Sequence, residues 1–244
     1  MGQLLLLLVF VLGTVTTFAA LSRAQRQARE VEQKRARAIE AQVSRIRGAT
    51  EEDVTNFGEA LRDLDVDLAG QELSAEAQQD WTHAIDCYDR AKTLLSQDRG
   101  TGVVSLVTEA LEEGRQSVAC VRARVAGEPL PEMRPPCFFD PSHGPSTTDV
   151  MWSPDGGVPR KVPACAADAS RLAQGRTPWI RTVAVGTNQV PYWQAGPDYA
   201  PWVQGYYRRY EGNPMVTGLA VGGMGLLGLG LFSALFDDPG VGGQ

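Results

Sequence analysis

Two uncharged apolar segments, one near each end of the chain, constrain this sequence more than any other feature. They run from Leu4 to Leu21 and from Met215 to Phe236, and every Lys and Arg lies between them. Each segment is long enough to cross a hydrocarbon core of about 30 Å as an α-helix. The sequence therefore predicts membrane-spanning helices at 3–22 and 214–236, with one large loop between them.

The positions of the basic residues predict which side of the membrane holds this loop. Arg23, Arg26 and Arg29 follow the first segment, and Arg208 and Arg209 precede the second. Because basic residues near the ends of a span are retained in the cytoplasm, we expect a two-pass cell-membrane protein with a cytoplasmic central loop. A cleaved signal peptide is the alternative for the first segment, although no basic side chain precedes it.

Charge and composition narrow the class of partner. The chain has 29 acidic and 23 basic residues and a net charge of −6, which argues against nucleic acid, because phosphate binding needs a basic face. The stretch 23–48 is the basic exception, and we predict a juxtamembrane helix there, with at best a weak coiled-coil seam. Its expected partners are the lipid bilayer and anionic lipid headgroups. The alternative is a topology signal followed by a solvated helix face.

The region 50–127 is predicted to be a helical bundle. Apolar residues recur every three or four positions in three stretches, and Gly or Pro residues separate these stretches from their neighbours. Thr50 and Ser74 are the predicted N-caps of the first two helices, and Gly127 is predicted to end the third. Two long helices joined by a short Gly-rich turn should pack as an antiparallel αα-hairpin.

The region 129–212 is rich in Pro, Gly and aromatic residues and is predicted to be a β-rich module. Turn sequences at 153–157 and 186–188 indicate two β-hairpins, and 166–173 suits a short helix between them. Aromatic residues crowd together from Tyr192 onward, either in the headgroup layer or in a small core. The predicted fold class is thus a membrane α protein with a small β-rich module.

Four residues of this module carry the side chains of a zinc site: Cys137, His143, Cys165 and Asp168. Zinc takes about four N, S or O ligands in a tetrahedron. The spacings Cys-x5-His and Cys-x2-Asp match no standard zinc finger, so alternatives stay open. The two cysteines could form a disulfide if the loop lies outside the cell, or stay small buried thiols. We expect no cofactor, with zinc as the alternative.

The sequence shows no catalytic motif, and we predict that the protein is not an enzyme. It contains no Gly-x-Ser-x-Gly elbow, His-Glu-x-x-His pair or Gly-Lys-Ser/Thr phosphate loop, and its two histidines are His83 and His143. His83 is predicted to be a surface or boundary residue. Cys87 and Cys120 lie beside the apolar stripes of two helices, and are predicted to be core or boundary residues rather than ligands.

Glycines in the second apolar segment predict close packing of that helix against a neighbour. Gly218 and Gly222 are spaced as a small-xxx-small pair, which lets two membrane helices approach closely. The neighbour could be the first span, a second copy of the chain or another protein. The alternative is a generic Gly-rich span.

Several stretches resemble a group of small membrane proteins from actinobacteria. The residues that carry the resemblance are Ala119–Arg124 (ACVRAR), 134–146 (RPPCFFDPSHGPS), 162–169 (VPACAADA) and 190–197 (VPYWQAGP). The resemblance implies the membrane architecture and no particular activity, since the group has none assigned.

Together these features predict a membrane-anchored, non-catalytic interaction or scaffold protein. The helical hairpin or the aromatic module would present the binding surface. The alternative function is a zinc-binding or thiol-redox module at Cys137, His143 and Cys165, tethered to the membrane.

Overall fold

The computed structural model describes residues 2–97, 100, 102–154, 157 and 159–210, and for 2–24 it describes the backbone alone. The helices are α1 (Gly2–Leu68), α2 (Ala75–Gln97), α3 (Gly102–Ala126), α4 (Ala166–Ala173) and α5 (Ala200–Tyr207). The strands are β1 (Thr148–Trp152), β2 (Arg160–Ala164), β3 (Thr182–Val185) and β4 (Asn188–Pro191). Short 3-10 turns lie at Pro141–His143, Tyr192–Gln194, Pro197–Tyr199 and Arg208–Tyr210.

The structure corrects the predicted membrane architecture. Within the described ranges, no helix combines the length and the apolar character that crossing a membrane requires. The membrane fold class, the span at 3–22 and the two-pass cell-membrane localisation with a cytoplasmic loop are therefore wrong. The apolar segment is the first part of the 67-residue α1 and runs without a break into its charged stretch. The span predicted at 214–236, with Gly218 and Gly222, lies outside the described residues.

Helix α1 also passes through the predicted boundary at Thr50. The Thr50 hydroxyl donates a hydrogen bond to the carbonyl oxygen of Ile46 at 2.8 Å. This bond to the preceding turn satisfies the hydroxyl inside a helix, so Thr50 is not an N-cap. The chain divides into two compact units between Ser44 and Arg45, and in the first unit residues 25–41 are exposed.

In the second unit, α2 and α3 form the antiparallel αα-hairpin and pack against the end of α1. Ser74 caps α2, since its Oγ accepts a hydrogen bond from the Ala77 backbone N–H at 3.1 Å. Gly127 ends α3 with a φ of +67°, where L residues are rarely found. Arg124 near the end of α3 pairs with Asp80 near the start of α2 at 2.7 Å, which requires opposite helix directions.

The C-terminal aromatic residues form a core with α3 and are not arranged as a surface belt. Trp202 and Tyr206 on α5 are both 0% exposed. Helix α5 lies so close to α3 that a Cβ atom added at Gly205 would collide with Thr108 Oγ1 and the Ser105 carbonyl oxygen. The close approach therefore requires glycine at position 205.

Two antiparallel hairpins, β1–β2 and β3–β4, complete the second unit, with Val150 opposite Val162 and Val183 opposite Val190. The segment 137–139 is hydrogen-bonded to both. Phe138 N–H donates to the Pro163 carbonyl at 2.8 Å, and the Arg181 N–H donates to the carbonyl of Phe139 at 2.8 Å. Cys137 is thereby held next to the end of β2, where α4 begins.

Candidate metal centre

A short closed loop positions Cys137 and His143. The Asp140 carboxylate accepts a hydrogen bond from the Ser142 backbone N–H at 2.8 Å, which starts the 3-10 turn that contains His143. Gly144 follows with a φ of +84°, and its carbonyl accepts from the Cys137 N–H at 3.0 Å. The loop therefore closes on its own first residue and brings the imidazole beside the thiol.

The start of α4 positions Cys165 and Asp168. Cys165 is the N-cap, and its Sγ accepts from the Asp168 backbone N–H at 3.4 Å. Because Asp168 lies one helical turn further on, its side chain lies beside that of Cys165. Asp168 is 0% exposed, and its Oδ1 accepts a hydrogen bond from the Trp179 backbone N–H at 2.9 Å. That bond orients the carboxylate so that Oδ2 faces the two cysteines.

The structure brings together all four residues that the sequence singled out as ligands. Asp168 Oδ2 lies 2.9 Å from His143 Nδ1, 3.3 Å from Cys137 Sγ and 3.4 Å from Cys165 Sγ. Cys165 Sγ lies 3.8 Å from His143 Nδ1. One ligand atom from each residue falls within 4.8 Å of every other, and both cysteines are free thiols.

These separations fit a tetrahedral zinc site. Bonds of about 2.3 Å to sulfur and about 2.0 Å to nitrogen or oxygen, at angles of about 109°, place nitrogen roughly 3.3 Å from oxygen, sulfur roughly 3.5 Å from either, and two sulfurs roughly 3.8 Å apart. The four observed separations run from 2.9 to 3.8 Å. Each lies within about 0.4 Å of the distance expected for its pair of atoms. Shifts of a few tenths of an ångström would therefore bring these atoms to bonding distance around one ion.

Hydrogen bonds and burial shift the pKa values of the two cysteines and the histidine in different directions. Hydrogen bonding to Cys137 lowers the pKa of Cys165, and the same contact together with burial raises the pKa of Cys137. Burial opposes the charge on His143, but contacts with Cys165 and the Asp140 carboxylate outweigh it and raise the pKa of the imidazole to about 9. The Cys165 sulfur is thus the thiol that most readily loses its proton.

The same nitrogen of His143 faces both of its partners, which distinguishes this group from a Cys-His-Asp nucleophile. In a catalytic triad, one ring nitrogen faces the nucleophile and the other faces the carboxylate. Here Nδ1 faces Cys165 Sγ and Asp168 Oδ2. Nε2 lies 3.8 Å from Asp140 Oδ2, which is too far for the hydrogen bond that orients a triad histidine. Convergence on one nitrogen suits ligation of a shared ion better than proton relay.

A second group, His83, Cys87 and Glu113, also has ligand atoms within 4.8 Å of one another. The guanidinium of Arg90 pairs with the Glu113 carboxylate and lies 3.9 Å from Cys87 Sγ. A fixed cation at this position opposes a metal ion. His83 is exposed and Cys87 is 1% exposed, whereas Cys120 on α3 is half-buried.

Sequence reasoning missed a buried group of side chains around the carboxylate of Asp53. Asp53 Oδ2 accepts hydrogen bonds from Trp202 Nε1 and the Tyr206 hydroxyl, both at 2.8 Å. Arg181 Nη2 lies 3.1 Å from Oδ1 as an ion-pair partner. Burial raises the pKa of Asp53, and Arg181 and Arg115 oppose this rise. One sequence signal for its burial was available, because Asp53 lies four residues before Phe57 and therefore on the apolar face of the helix.

No family model matches the chain, and no curated protein or solved structure matches it. The resemblance to actinobacterial membrane proteins stays a prediction. Any function for the four-residue group therefore has to be inferred from its own geometry.

Proposed function

We propose that this protein binds one structural zinc ion through Cys137 Sγ, His143 Nδ1, Cys165 Sγ and Asp168 Oδ2. The observation that carries the proposal is the convergence of these four atoms within 4.8 Å. Two thiols, an imidazole and a carboxylate belong to the ligand types that zinc takes, and a set of four protein ligands is typical of structural sites.

Charge and burial support an ion at this point. Cys137 and Asp168 are both 0% exposed, and Cys165 is 8% exposed. Burying an ionised carboxylate next to a thiolate is costly unless a cation compensates it. A divalent ion would neutralise most of the charge of two thiolates and one carboxylate.

The surroundings of the ligands support a fixed geometry. The Asp168 carboxylate is oriented by the Trp179 N–H, and the Cys165 sulfur is oriented by the Asp168 N–H. Hydrogen bonds to the ligand side chains orient them and strengthen metal binding in known sites. The ion would join the 137–144 loop, which precedes the first hairpin, to α4, which lies between the two hairpins. A closed site of this kind suits the non-catalytic interaction role expected from the sequence.

Metal analysis of the full chain, purified under reducing conditions without added chelator, tests the proposal. We expect about one zinc ion per chain, and Co²⁺ substitution should give the strong absorption of a tetrahedral thiolate site. Cys137→Ser and Cys165→Ser should each lose the ion, because each removes a ligand.

Cys120→Ser is the matched control, since Cys120 is a half-buried thiol outside the group. It should keep the full metal content. A wild-type chain that binds neither Zn²⁺ nor Co²⁺ would contradict the proposal. If its thiols then react rapidly with each other under mild oxidation, the thiol-redox alternative replaces it.

A further inference from the structure

Cys165 is the cysteine of the candidate metal centre that lies nearer to solvent. A cleft of about 810 Å³ opens beside the centre, and Cys165 and His143 both form part of its wall. Cys165 is 8% exposed, whereas Cys137 is 0% exposed. Exposure and thiolate character decide which cysteine of a protein reacts with an oxidant. A small oxidant that enters the cleft should therefore react at Cys165 first.

The sulfur atoms of Cys137 and Cys165 are close neighbours. They lie within 4.8 Å of one another, and both contact Asp168 Oδ2, at 3.3 Å and 3.4 Å respectively. The hydrogen bond from the Phe138 N–H to the Pro163 carbonyl holds the two chain segments side by side. Because a disulfide has an S–S distance of about 2.05 Å, the two sulfur atoms have to approach by roughly 2–3 Å. Rotation of the two side chains supplies such a movement while the backbone hydrogen bond stays in place.

Asp168 and His143 can pair with each other when the sulfur atoms are no longer ligands. His143 Nδ1 lies 2.9 Å from Asp168 Oδ2, and the Trp179 N–H donates to Oδ1 at 2.9 Å. Asp168 is 0% exposed, and an ionised carboxylate at such a position is costly without partners. Because both of its oxygens keep a partner, the centre can exist without an ion once the two thiolates have been oxidised.

We propose that the centre is a redox switch, in which hydrogen peroxide joins Cys165 to Cys137 and releases the zinc ion. The inference rests on the proposed function, because it describes how the bound ion leaves. The zinc-bound chain and the oxidised, zinc-free chain are the two states of the switch.

The reaction takes two steps and consumes one peroxide. A cysteine that binds zinc is deprotonated, so the Cys165 thiolate attacks one peroxide oxygen, the O–O bond breaks, and a sulfenic acid and a hydroxide form. The Cys137 thiolate then attacks the Cys165 sulfur, the S–S bond forms, and a second hydroxide leaves. The two sulfur atoms lose two electrons, peroxide gains them, and both hydroxides take protons from solvent to become water. The disulfide carries no charge, so the ion loses two of its four ligands and dissociates.

Peroxide treatment of the zinc-loaded full chain tests the inference, with a chromogenic chelator recording the released ion. We expect one zinc ion to be released for each disulfide formed, and peptide mapping by mass spectrometry should place that disulfide between Cys137 and Cys165. Reduction with a phosphine in the presence of zinc should restore the ion. Cys120→Ser is the matched control and should release zinc at the wild-type rate, because its missing thiol lies outside the centre.

Two single variants test which sulfur reacts first, and neither measurement needs a bound ion. Cys137→Ser keeps Cys165 but lacks the thiol that resolves its sulfenic acid, so dimedone should capture that acid. Cys165→Ser keeps only the buried Cys137, and dimedone labelling there should be at least about tenfold slower. Equal labelling of the two variants would contradict the entry of peroxide at Cys165.

Zinc content measured before peroxide is added separates this inference from the proposed function. A chain that takes up no zinc fails at that step, and the zinc proposal falls together with the switch. A zinc-loaded chain that keeps its ion in peroxide, or that loses it while Cys137 and Cys165 stay reduced, overturns the switch and leaves the zinc proposal standing.

Discussion

The buried carboxylates of Asp53 and Asp168 are both 0% exposed, yet they are surrounded by opposite kinds of groups. Asp53 faces an indole N–H, a phenol and the guanidinium of Arg181, so its charge is met by the chain itself. Asp168 faces two thiols and the imidazole of His143, which are side-chain types that bind zinc. The first carboxylate is therefore a structural clamp, whereas the second belongs to the group for which we propose a zinc ion.

The largest expected effect is the loss of the ion from the Asp168 group. With free zinc a thousandfold above its dissociation constant, removal of the ion should lower the free energy of unfolding by about 4 kcal/mol. Urea unfolding of the full chain with zinc and with chelator measures this difference. Cys165→Ser should show no response to the chelator. If the wild-type chain is equally stable with zinc and with chelator, an ion does not compensate Asp168, and the proposed difference from Asp53 is contradicted.

Removal of the Asp53 carboxylate is the matching test of the clamp. Asp53→Ala should lower the free energy of unfolding by about 3–5 kcal/mol, because Trp202, Tyr206 and Arg181 lose a buried partner. Asp53→Asn keeps an acceptor without the charge and should cost less. Asp63→Ala, an exposed acid on the same helix, is the control in the same urea experiment. A cost below about 1 kcal/mol for Asp53→Ala would show that the clamp contributes little.

A steric variant tests whether the clamp depends on how α5 packs on α3. Gly205→Ala leaves Asp53 in place but pushes α5 away from Thr108 and Ser105, and should cost about 3 kcal/mol. Gly48→Ala is the matched control, because a Cβ there meets nothing within 4 Å. That control should be neutral or stabilising by up to about 1 kcal/mol, since alanine favours helix. Equal melting temperatures of Gly205→Ala and Gly48→Ala would contradict the close approach of α5 to α3.

The smallest expected effect is a pH dependence at Glu112, a third buried acid. Burial raises its pKa above the ordinary 4.5, with the hydrogen bond from Tyr210 opposing. Protonated Glu112 therefore contributes stability that is present below pH 4.5 and is lost as the pH rises through the folded-state value. Glu112→Gln should remove this slope and change stability at pH 7 by less than about 1 kcal/mol. Parallel urea titrations of both chains from pH 4 to about 8 measure the difference, and identical slopes would contradict the assignment.

The candidate metal centre was accessible to sequence reasoning because its chemistry is carried by rare residue types and local turns. Cys137 and His143 share one short loop, Cys165 and Asp168 share one helix start, and the hairpin turns beside them are marked by Pro, Gly and Asp. Whether the two pairs meet could not be deduced from spacing. That depended on the hydrogen bond from Phe138 to Pro163, which lies in the tertiary structure.

The partners of Asp53 and the bounds of α1 could not be predicted from local sequence patterns in the same way. Asp53 lies 149 residues from Trp202 and 153 from Tyr206, so no local pattern connects them. Thr50 has the composition of an N-cap, but the hydroxyl bonds to the preceding turn and the helix continues. The apolar segment continues into the charged part of α1, which ends only at Leu68. Local composition favours helix along this stretch but does not show where the helix ends.

The distance in sequence between Asp53 and its partners has a consequence during synthesis of the chain. At about 5–20 residues per second, a ribosome needs roughly 7–30 s after adding Asp53 before Trp202 and Tyr206 exist. In the second half of that interval α1, α2 and α3 are complete, while the acid on α1 still has no indole or phenol to bind. Nascent chains stalled before position 202 should therefore expose part of the helical core and bind chaperones. We expect the chaperones to dissociate once α5 has been synthesised.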